Sequence, residues 1–445
     1  MSTIVQSVED IKLNNFHRLL SVRSGGGSFV DGYVLSIIGV GMLQITSALH
    51  LTNFWQGMIA ASALIGIFFG GFVGGWITGK FGRQKPYFIG PTLFIICSIG
   101  QFWVQSGYAL FIYRFFIGVA VGIEYPVATA LLVEFLPKKA RGPLLAMLTI
   151  MWFAGAAVAY LVGDIILRTG GNDAWRYILA STAIIGLLLF LVRLGTPESP
   201  RWLIAQGKID EAEKVIKKVY GEEYSLDHLP EQPAEQKVSF LDLLHSGYGK
   251  RMFFVSTFWT CSVIPVFAVY AFAPKVLLAL NLRGEWASFG SIAITFLFVV
   301  GCIIATQLIN VMGRRPMLIY SFLLSGIALF LLGMFYNSSE IVILILFGAY
   351  AVFIGGAQVL QLVYPNEIFP TEIRATAVGI GTSLSRIGAA IGTYLVPLSL
   401  DKFGISDTMY AAAAVTFFGL IVSYFLATET KHLNLNEAGV LDCVH

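Results

Sequence analysis

Apolar runs long enough to cross a bilayer recur from one end of this 445-residue chain to the other. A membrane helix takes about 20 apolar residues. On that measure spans fall near 28–50, 54–78, 87–107, 109–134, 144–168 and 175–194. After a polar stretch they resume near 252–277, 286–310, 316–336, 340–366, 374–400 and 407–428. Only helices and closed barrels satisfy their backbone in lipid, and runs of this length are helical. The fold class is therefore an all-α membrane protein of 12 transmembrane helices, six on each side of a linker at 195–251. The expected units are an N-terminal tail, 1–27, a first bundle, 28–194, the linker, a second bundle, 252–428, and a C-terminal tail, 429–445. Within the linker, 209–220 reads as an amphipathic surface helix.

Charge is scarce. Charged residues make up 12% of the chain, against about 25% in soluble proteins. That excludes a soluble enzyme, a nucleic-acid module and a secreted scaffold. The four cysteines, Cys97, Cys261, Cys302 and Cys443, form no metal-ligand spacing and read as small core or lipid-facing residues. His17, His50, His228, His245, His432 and His445 fall in termini or loops, and Gly25-Gly26-Gly27 lacks the strand and lysine of a phosphate loop. No cofactor, metal or enzymatic activity is expected. No removable signal peptide is expected either, so the first apolar segment is retained as a signal anchor.

An even number of spans puts both termini on one side. Of the 29 Lys and Arg residues, 22 lie on the side of the termini and the linker and 5 on the other, with Arg114 and Arg386 inside spans. The positive-inside rule then places the termini and linker in the cytoplasm.

The halves repeat. Gly82-Arg83-Gln84-Lys85-Pro86 follows the second span, and Gly313-Arg314-Arg315-Pro316 follows the eighth, displaced by 231 residues. Glu134-x-x-Pro137-x-x-x-Arg141 and Glu367-x-x-Pro370-x-x-x-Arg374 recur at a displacement of 233. Paired bundles related by an axis along the membrane normal are a transporter architecture, with substrate held between them near the midplane.

These motifs carry a family resemblance covering nearly the whole chain. Gly75-x-x-x-Gly79-Lys80-x-Gly82-Arg83 resembles the loop motif of the major facilitator superfamily. Pro197-Glu198-Ser199-Pro200-Arg201-Trp202-Leu203 and Glu429-Thr430-Lys431 resemble signatures of its branch of sugar porters, organic-ion transporters and proton-coupled metabolite symporters. The loop motif usually has an acid where this chain has Gly79, and the repeat has Asn310. The resemblance implies two pseudo-symmetric six-helix bundles, alternating access, monomeric function and a cytoplasmic latch. In that latch Arg83 and Arg314 would pair with Glu134 and Glu367 while the carrier faces outward and separate when it faces inward. Arg141, Arg374, Glu198 and Arg201 lie at the same helix ends.

Ionisable side chains inside spans are costly and mark pathways. Asp31, Arg114, Glu124 and Arg386 stand clear of the loops, and Asp164 lies near the outer end of its span. Asp31 in Asp31-Gly32-Tyr33 resembles the first-helix carboxylate of proton-coupled symporters, and Arg114 the fourth-helix arginine that partners it. Asp31 is the first choice for the coupling proton, with Glu124 second. Glu124 and Arg386 reach mid-membrane depth in opposite halves, either at the substrate cavity or as a structural pair.

Arg386 resembles the eleventh-helix arginine of organic-anion carriers, and a guanidinium in a dry cavity suits a carboxylate. Trp152, Trp259, Tyr270, Gln358, Gln361 and Tyr364 complete the candidate pocket, which leans toward a small, aromatic monocarboxylate such as nicotinate. The alternative is a proton-coupled sugar porter, since the branch signatures are shared with sugar porters. A drug/proton antiporter and a non-transporting sensor rank lower. The partners implied are a small-molecule substrate, protons and the lipid bilayer, with no nucleic acid. The short 51–53 connection points to a bacterial inner membrane.

Overall fold

The computed structural model describes residues 8, 11–229, 247–282, 285–369 and 371–431, apart from the side chains at 138, 139, 141, 142, 285 and 371–376. Among these residues every regular element is helical. The first half holds α1 (Asn15–Ala48), α2 (Asn53–Phe81), α3 (Pro86–Gln101), α4 (Gly107–Phe135), α5 (Lys138–Thr169) and α6 (Ala174–Arg193). The linker contributes α7 (Pro200–Ala205) and α8 (Ile209–Tyr220). The second half holds α9 (Gly249–Ala279), α10 (Glu285–Met312), α11 (Arg314–Met334), α12 (Glu340–Phe353), α13 (Gly355–Ile368), α14 (Thr371–Lys402) and α15 (Gly404–Leu426). Helices α12 and α13 form one membrane crossing, interrupted before Gly355, whose Cα sits against the backbone of Gly301 in α10. Twelve crossings result, in two six-helix bundles.

The boundary that departs furthest from the sequence expectation is the start of α1, and it has a local cause. α1 begins at Asn15 rather than near residue 28. Asn14 caps it, accepting from the His17 N–H at 2.9 Å while its own N–H donates to the His17 ring at 3.1 Å. His17 is thereby a buried helix residue, not a loop residue. The Ser24–Gly27 run stays helical because neighbouring side chains fill the space above its glycines: Met147 and Met151 at Gly25, and Leu189 at Gly26. α3 ends at Gln101 rather than near residue 107, and α5 starts at Lys138 rather than near residue 144.

The packing pattern displays the twofold relation. Within the first bundle α1 packs on α5 and α3 on α6; within the second, α9 packs on α14 and α11 on α15. Between bundles α2 meets α14 and α10 meets α5, which are the same contact exchanged, while α1 meets its own counterpart α9. The α1–α5 crossing is close: a Cβ on Gly32 would lie 1.8 Å from the Trp152 carbonyl oxygen, and one on Gly155 would lie 1.9 Å from that of Phe29. Gly155→Ala therefore has to push apart a pair of helices that carry the site. Overpacking of this kind costs about 1–3 kcal/mol, and we expect a lowered melting temperature in detergent together with loss of transport; a melting temperature equal to wild type would contradict the reciprocal contact.

Large apolar side chains cover the perimeter. Trp76, Trp103, Ile184, Val311 and Phe425 are each more than 60% exposed, as expected for a multi-pass integral membrane protein whose outer surface faces lipid. On the terminal side, α8 lays Ile216, Val219 and Tyr220 against the ends of α1 and α4. The Tyr220 hydroxyl donates to the Phe135 carbonyl at 3.0 Å, and the Asn14 amide to that of Val219 at 2.7 Å.

Candidate functional site

At the end of the molecule that carries the linker, α2 stops at Phe81 and the chain turns through Gly82 at φ +88°; in the second half it turns through Gly313 at φ +91°. Positive φ exposes successive backbone N–H groups beyond the turn. The N–H groups of Arg83 and Gln84 donate to the Glu198 carboxylate at 2.7 and 3.1 Å. Those of Arg314 and Arg315 donate to Glu429, both at 3.1 Å. The Arg83 guanidinium donates to Glu134 at 2.8 Å and that of Arg314 to Glu367 at 2.7 Å. The two branch signatures read separately in the sequence, around Glu198 and Glu429, are thus one structural device used twice.

These clusters lie within each bundle, and their ion pairs are intact. Arg201 stands in the first turn of α7, beside Trp202, whose indole N–H donates to the Gly79 carbonyl at 3.0 Å. The side chains of Arg141 and Arg374, expected in the same latch, lie outside the described residues.

Deeper in the first bundle, Asp31 is fully buried and neither carboxylate oxygen has a hydrogen-bond partner among the described residues. Arg114 does not pair with it. Its guanidinium lies about a helical turn further along α1, donating to the Val34 carbonyl at 2.7 Å and to that of Leu35 at 3.5 Å. The charged groups whose fields reach Asp31 are Glu124 and Arg193 in its own bundle and Arg386 in the other.

Glu124 pairs neither with Arg386 nor across the halves. It forms a buried ion pair with Arg193 at the end of α6, one of whose contacts is 2.8 Å. Arg193 also donates to the Tyr87 carbonyl at 2.7 Å and lies over the Tyr87 ring at 3.8 Å. Gly27 makes room for the pair, since a Cβ there would lie 2.2 Å from Glu124 and 2.3 Å from Arg193. Sequence reasoning counted Arg193 among the basic residues at the membrane edge. The available signal was an arginine within Leu187-Leu188-Leu189-Phe190-Leu191-Val192-Arg193-Leu194, opposite a carboxylate that lacked a partner.

Arg386 lies on α14 and is 7% exposed. Its guanidinium faces two rings, Phe267 at 5.2 Å and Tyr125, from the other bundle, at 5.8 Å. It has no hydrogen bond or ion pair among the described residues, and its Nε is a buried donor with no acceptor. Trp152 lies edge-on to Phe267 and Tyr270 and faces the Tyr125 hydroxyl, and among the described residues the indole N–H of Trp259 has no acceptor. The Tyr270 hydroxyl is also without a hydrogen-bond partner among the described residues.

Gln358 and Gln361 direct their amide N–H groups to α9, at the Ser262 carbonyl, 2.9 Å, and the Ser262 hydroxyl, 2.8 Å. Tyr364 does not join the pocket. It stands near the terminal end of α13 among Phe254 and Phe258, with its hydroxyl donating to the Thr428 carbonyl.

The named contacts between bundles run from mid-membrane to the end opposite the termini. Lys275 of α9 donates to Gln56 of α2 at 2.7 Å, Ser288 of α10 to Asp164 of α5, and Tyr394 of α14 meets Phe54 of α2. Pro274 has no N–H to give the Tyr270 carbonyl, and α9 kinks there, with Phe272 at φ −136°, ψ 17°. The Tyr160 hydroxyl of the opposite bundle donates to that carbonyl at 2.8 Å. The end opposite the termini is closed.

Twelve helices in two such bundles, closed at one end, with buried charge at the seam between them, define a membrane carrier of the major facilitator fold. The chain belongs to the sugar (and other) transporter family, whose model matches residues 19–441. It is 39% identical to the putative metabolite transport protein YaaU of Escherichia coli K12 over 97% of this chain and 96% of that one. With the inner membrane metabolite transport protein YgcS of the same organism it shares 36% identity over 99% and 97% of the two chains. The fold matches the partially occluded, inward-open xylose transporter XylE from E. coli with a TM-score of 0.82, at 22% identity, over 95% of this chain and 100% of that one.

Proposed function

We propose that the protein is a proton-coupled symporter that takes up a small organic anion, an aromatic or other monocarboxylate such as nicotinate, by alternating access. Arg386 is the anion site and Asp31 the proton carrier. One observation carries this reading: Arg386 is a buried guanidinium held by rings and, among the described residues, by no carboxylate. A buried cation without a counter-ion is costly unless a ligand supplies one. The indole N–H of Trp259, on α9, is a further buried donor without an acceptor among the described residues. A ligand rich in acceptors answers that set, and a carboxylate can take two hydrogen bonds from one guanidinium.

The basic-residue bias supports cytoplasmic termini, in which case the form described faces inward, and the relationship to YgcS supports a bacterial inner membrane. Because the Arg83–Glu134 and Arg314–Glu367 pairs are formed in this form, we assign them to holding each bundle rigid and not to a latch that breaks on inward opening.

A second reading, a proton-coupled sugar porter, is favoured by the family itself and by kinship to an arabinose-proton symporter of Bacillus subtilis, 27% identical over 94% of this chain and 93% of that one. Proteoliposomes loaded with a pH dye separate the two when offered benzoate, nicotinate, xylose and glucose in parallel. Lumenal acidification is expected with a carboxylate. Asp31→Asn is expected to keep counterflow exchange and to lose accumulation driven by a pH gradient. Acidification by a sugar alone would install the second reading, and undiminished proton-driven uptake in Asp31→Asn would remove Asp31 from the coupling.

A further inference from the structure

We infer that the layer on the side of the termini is a pH-sensitive clasp, in which His17 and His228 hold the start of the chain and the linker on the first bundle only while both rings are neutral. His17 stands three residues after Asn14, the cap of α1, at the place a capping box gives to Glu or Gln. Its Nδ1 accepts the Asn14 backbone N–H at 3.1 Å. The linker repeats the arrangement: the Ser225 N–H, at the head of the turn Leu226–His228, donates to the His228 Nδ1 at 3.0 Å. Both boxes are tied to distant chain. The Asn14 amide donates to the Val219 carbonyl at 2.7 Å, and the Val8 N–H to the His228 carbonyl at 3.1 Å. Rings connect the two ends, His17 to Tyr220 at 5.7 Å, Tyr220 to Tyr224 at 6.2 Å and Tyr224 to His228 at 5.2 Å.

A backbone N–H donates to Nδ1 only when that nitrogen carries no proton, so both boxes require the neutral ring protonated at Nε2. At His17 this tautomer also suits the Phe135 carbonyl, which faces the ring and accepts from the Tyr220 hydroxyl. The cation carries hydrogen on both nitrogens, which would set two N–H groups head to head within each box. Gln at these places would keep its acceptor at every pH; histidine makes it conditional. His17 is fully buried among Phe16 of α1, Phe135 of α4 and Tyr220 of α8, and no charged side chain among the described residues is set against it to hold a cation. His228 has Tyr224 against its ring and the exposed Asp227 beside it in the turn. Histidine in solvent changes charge near pH 6.5. Below that the released layer binds more protons than the docked one, so docking weakens as pH falls. Helix α8 lies in the one stretch of chain that joins the two bundles, and the switch acts on that joint.

The test is hydrogen–deuterium exchange of the purified full-length protein in detergent, at about pH 7.5 and about pH 5.5, corrected for the chemical exchange rate at each. Wild type is expected to lose protection together in segments 11–22 and 209–229 at the lower pH, by about tenfold for each histidine that must stay neutral. Segments in the middle of α4 and α6 should be unchanged. The double variant His17→Gln with His228→Gln keeps an acceptor in both boxes and should hold the same protection at both pH values. Equal protection of wild type at the two pH values overturns the clasp, and that measurement does not depend on any variant folding. A loss that persists undiminished in the double variant overturns it by assigning the titration to other groups. Loss in one segment without the other overturns the connection between the two boxes.

Discussion

Arg386→Ala is expected to abolish uptake of the transported carboxylate, weakening binding by about 100-fold or more, while the protein folds and melts at or above the wild-type temperature. The two halves of this expectation share one cause. Charge-assisted hydrogen bonds to a buried ion contribute about 1.5–3 kcal/mol each, and a carboxylate on a guanidinium makes two. Yet among the described residues of the ligand-free protein the guanidinium pairs with no carboxylate and lies over the rings of Tyr125 and Phe267, so its removal relieves a desolvated charge and breaks no ion pair. Function and stability therefore move in opposite directions, a pattern met where a site carries strain for activity. Arg386→Lys retains the charge but not the fork of donors, and we expect it to keep a weakened, measurable affinity. The checks are a binding isotherm and a melting curve in one detergent. A marked fall in melting temperature for Arg386→Ala, with transport retained, would make the residue structural and return the substrate to the sugars.

How much of this was legible in the sequence follows from the range of each signal. Span count, bundle number and the duplicated loop motifs depend on local hydropathy and on spacing, and these survive without knowledge of tertiary contacts. The start of α1 did not. Ser24–Gly27 resembles a breaker, and what keeps it helical is the packing of Met147, Met151 and Leu189 against it, residues more than 100 positions away.

The charges split in the same way. That Asp31, Arg114, Glu124 and Arg386 lie inside the membrane is a matter of position along a span. Which of them meet depends on helix rotation and depth, and here spacing misled. Arg114 lies a turn past Asp31, Glu124 turns toward α6, and Tyr364 sits too near the terminal end to reach the seam. Arg193 was hidden for another reason. A long side chain at the edge of a span reads as snorkelling outward, and only the gap left by Gly27 reveals that it runs inward.

Arg193→Ala should behave as the reverse of Arg386→Ala. It leaves the Glu124 carboxylate buried, 2% exposed and without its cation, and breaking one partner of such a pair costs about 3–5 kcal/mol. A melting temperature lowered by many degrees is expected, together with poor recovery of folded protein and transport lost in proportion. The double variant Glu124→Gln with Arg193→Met removes both charges at similar volume, and replacing a buried pair by neutral groups of matched shape is often close to neutral. It should recover most of the melting temperature, and because Asp31 and Arg386 are untouched it should also recover carboxylate binding. That rescue separates the two arginines by role. If the double variant regains stability but not binding, the Glu124–Arg193 pair sets the field at Asp31 as well as the packing of four helices. If it regains neither, Gly27 and Gly90 have shaped a cavity that only the ion pair fills.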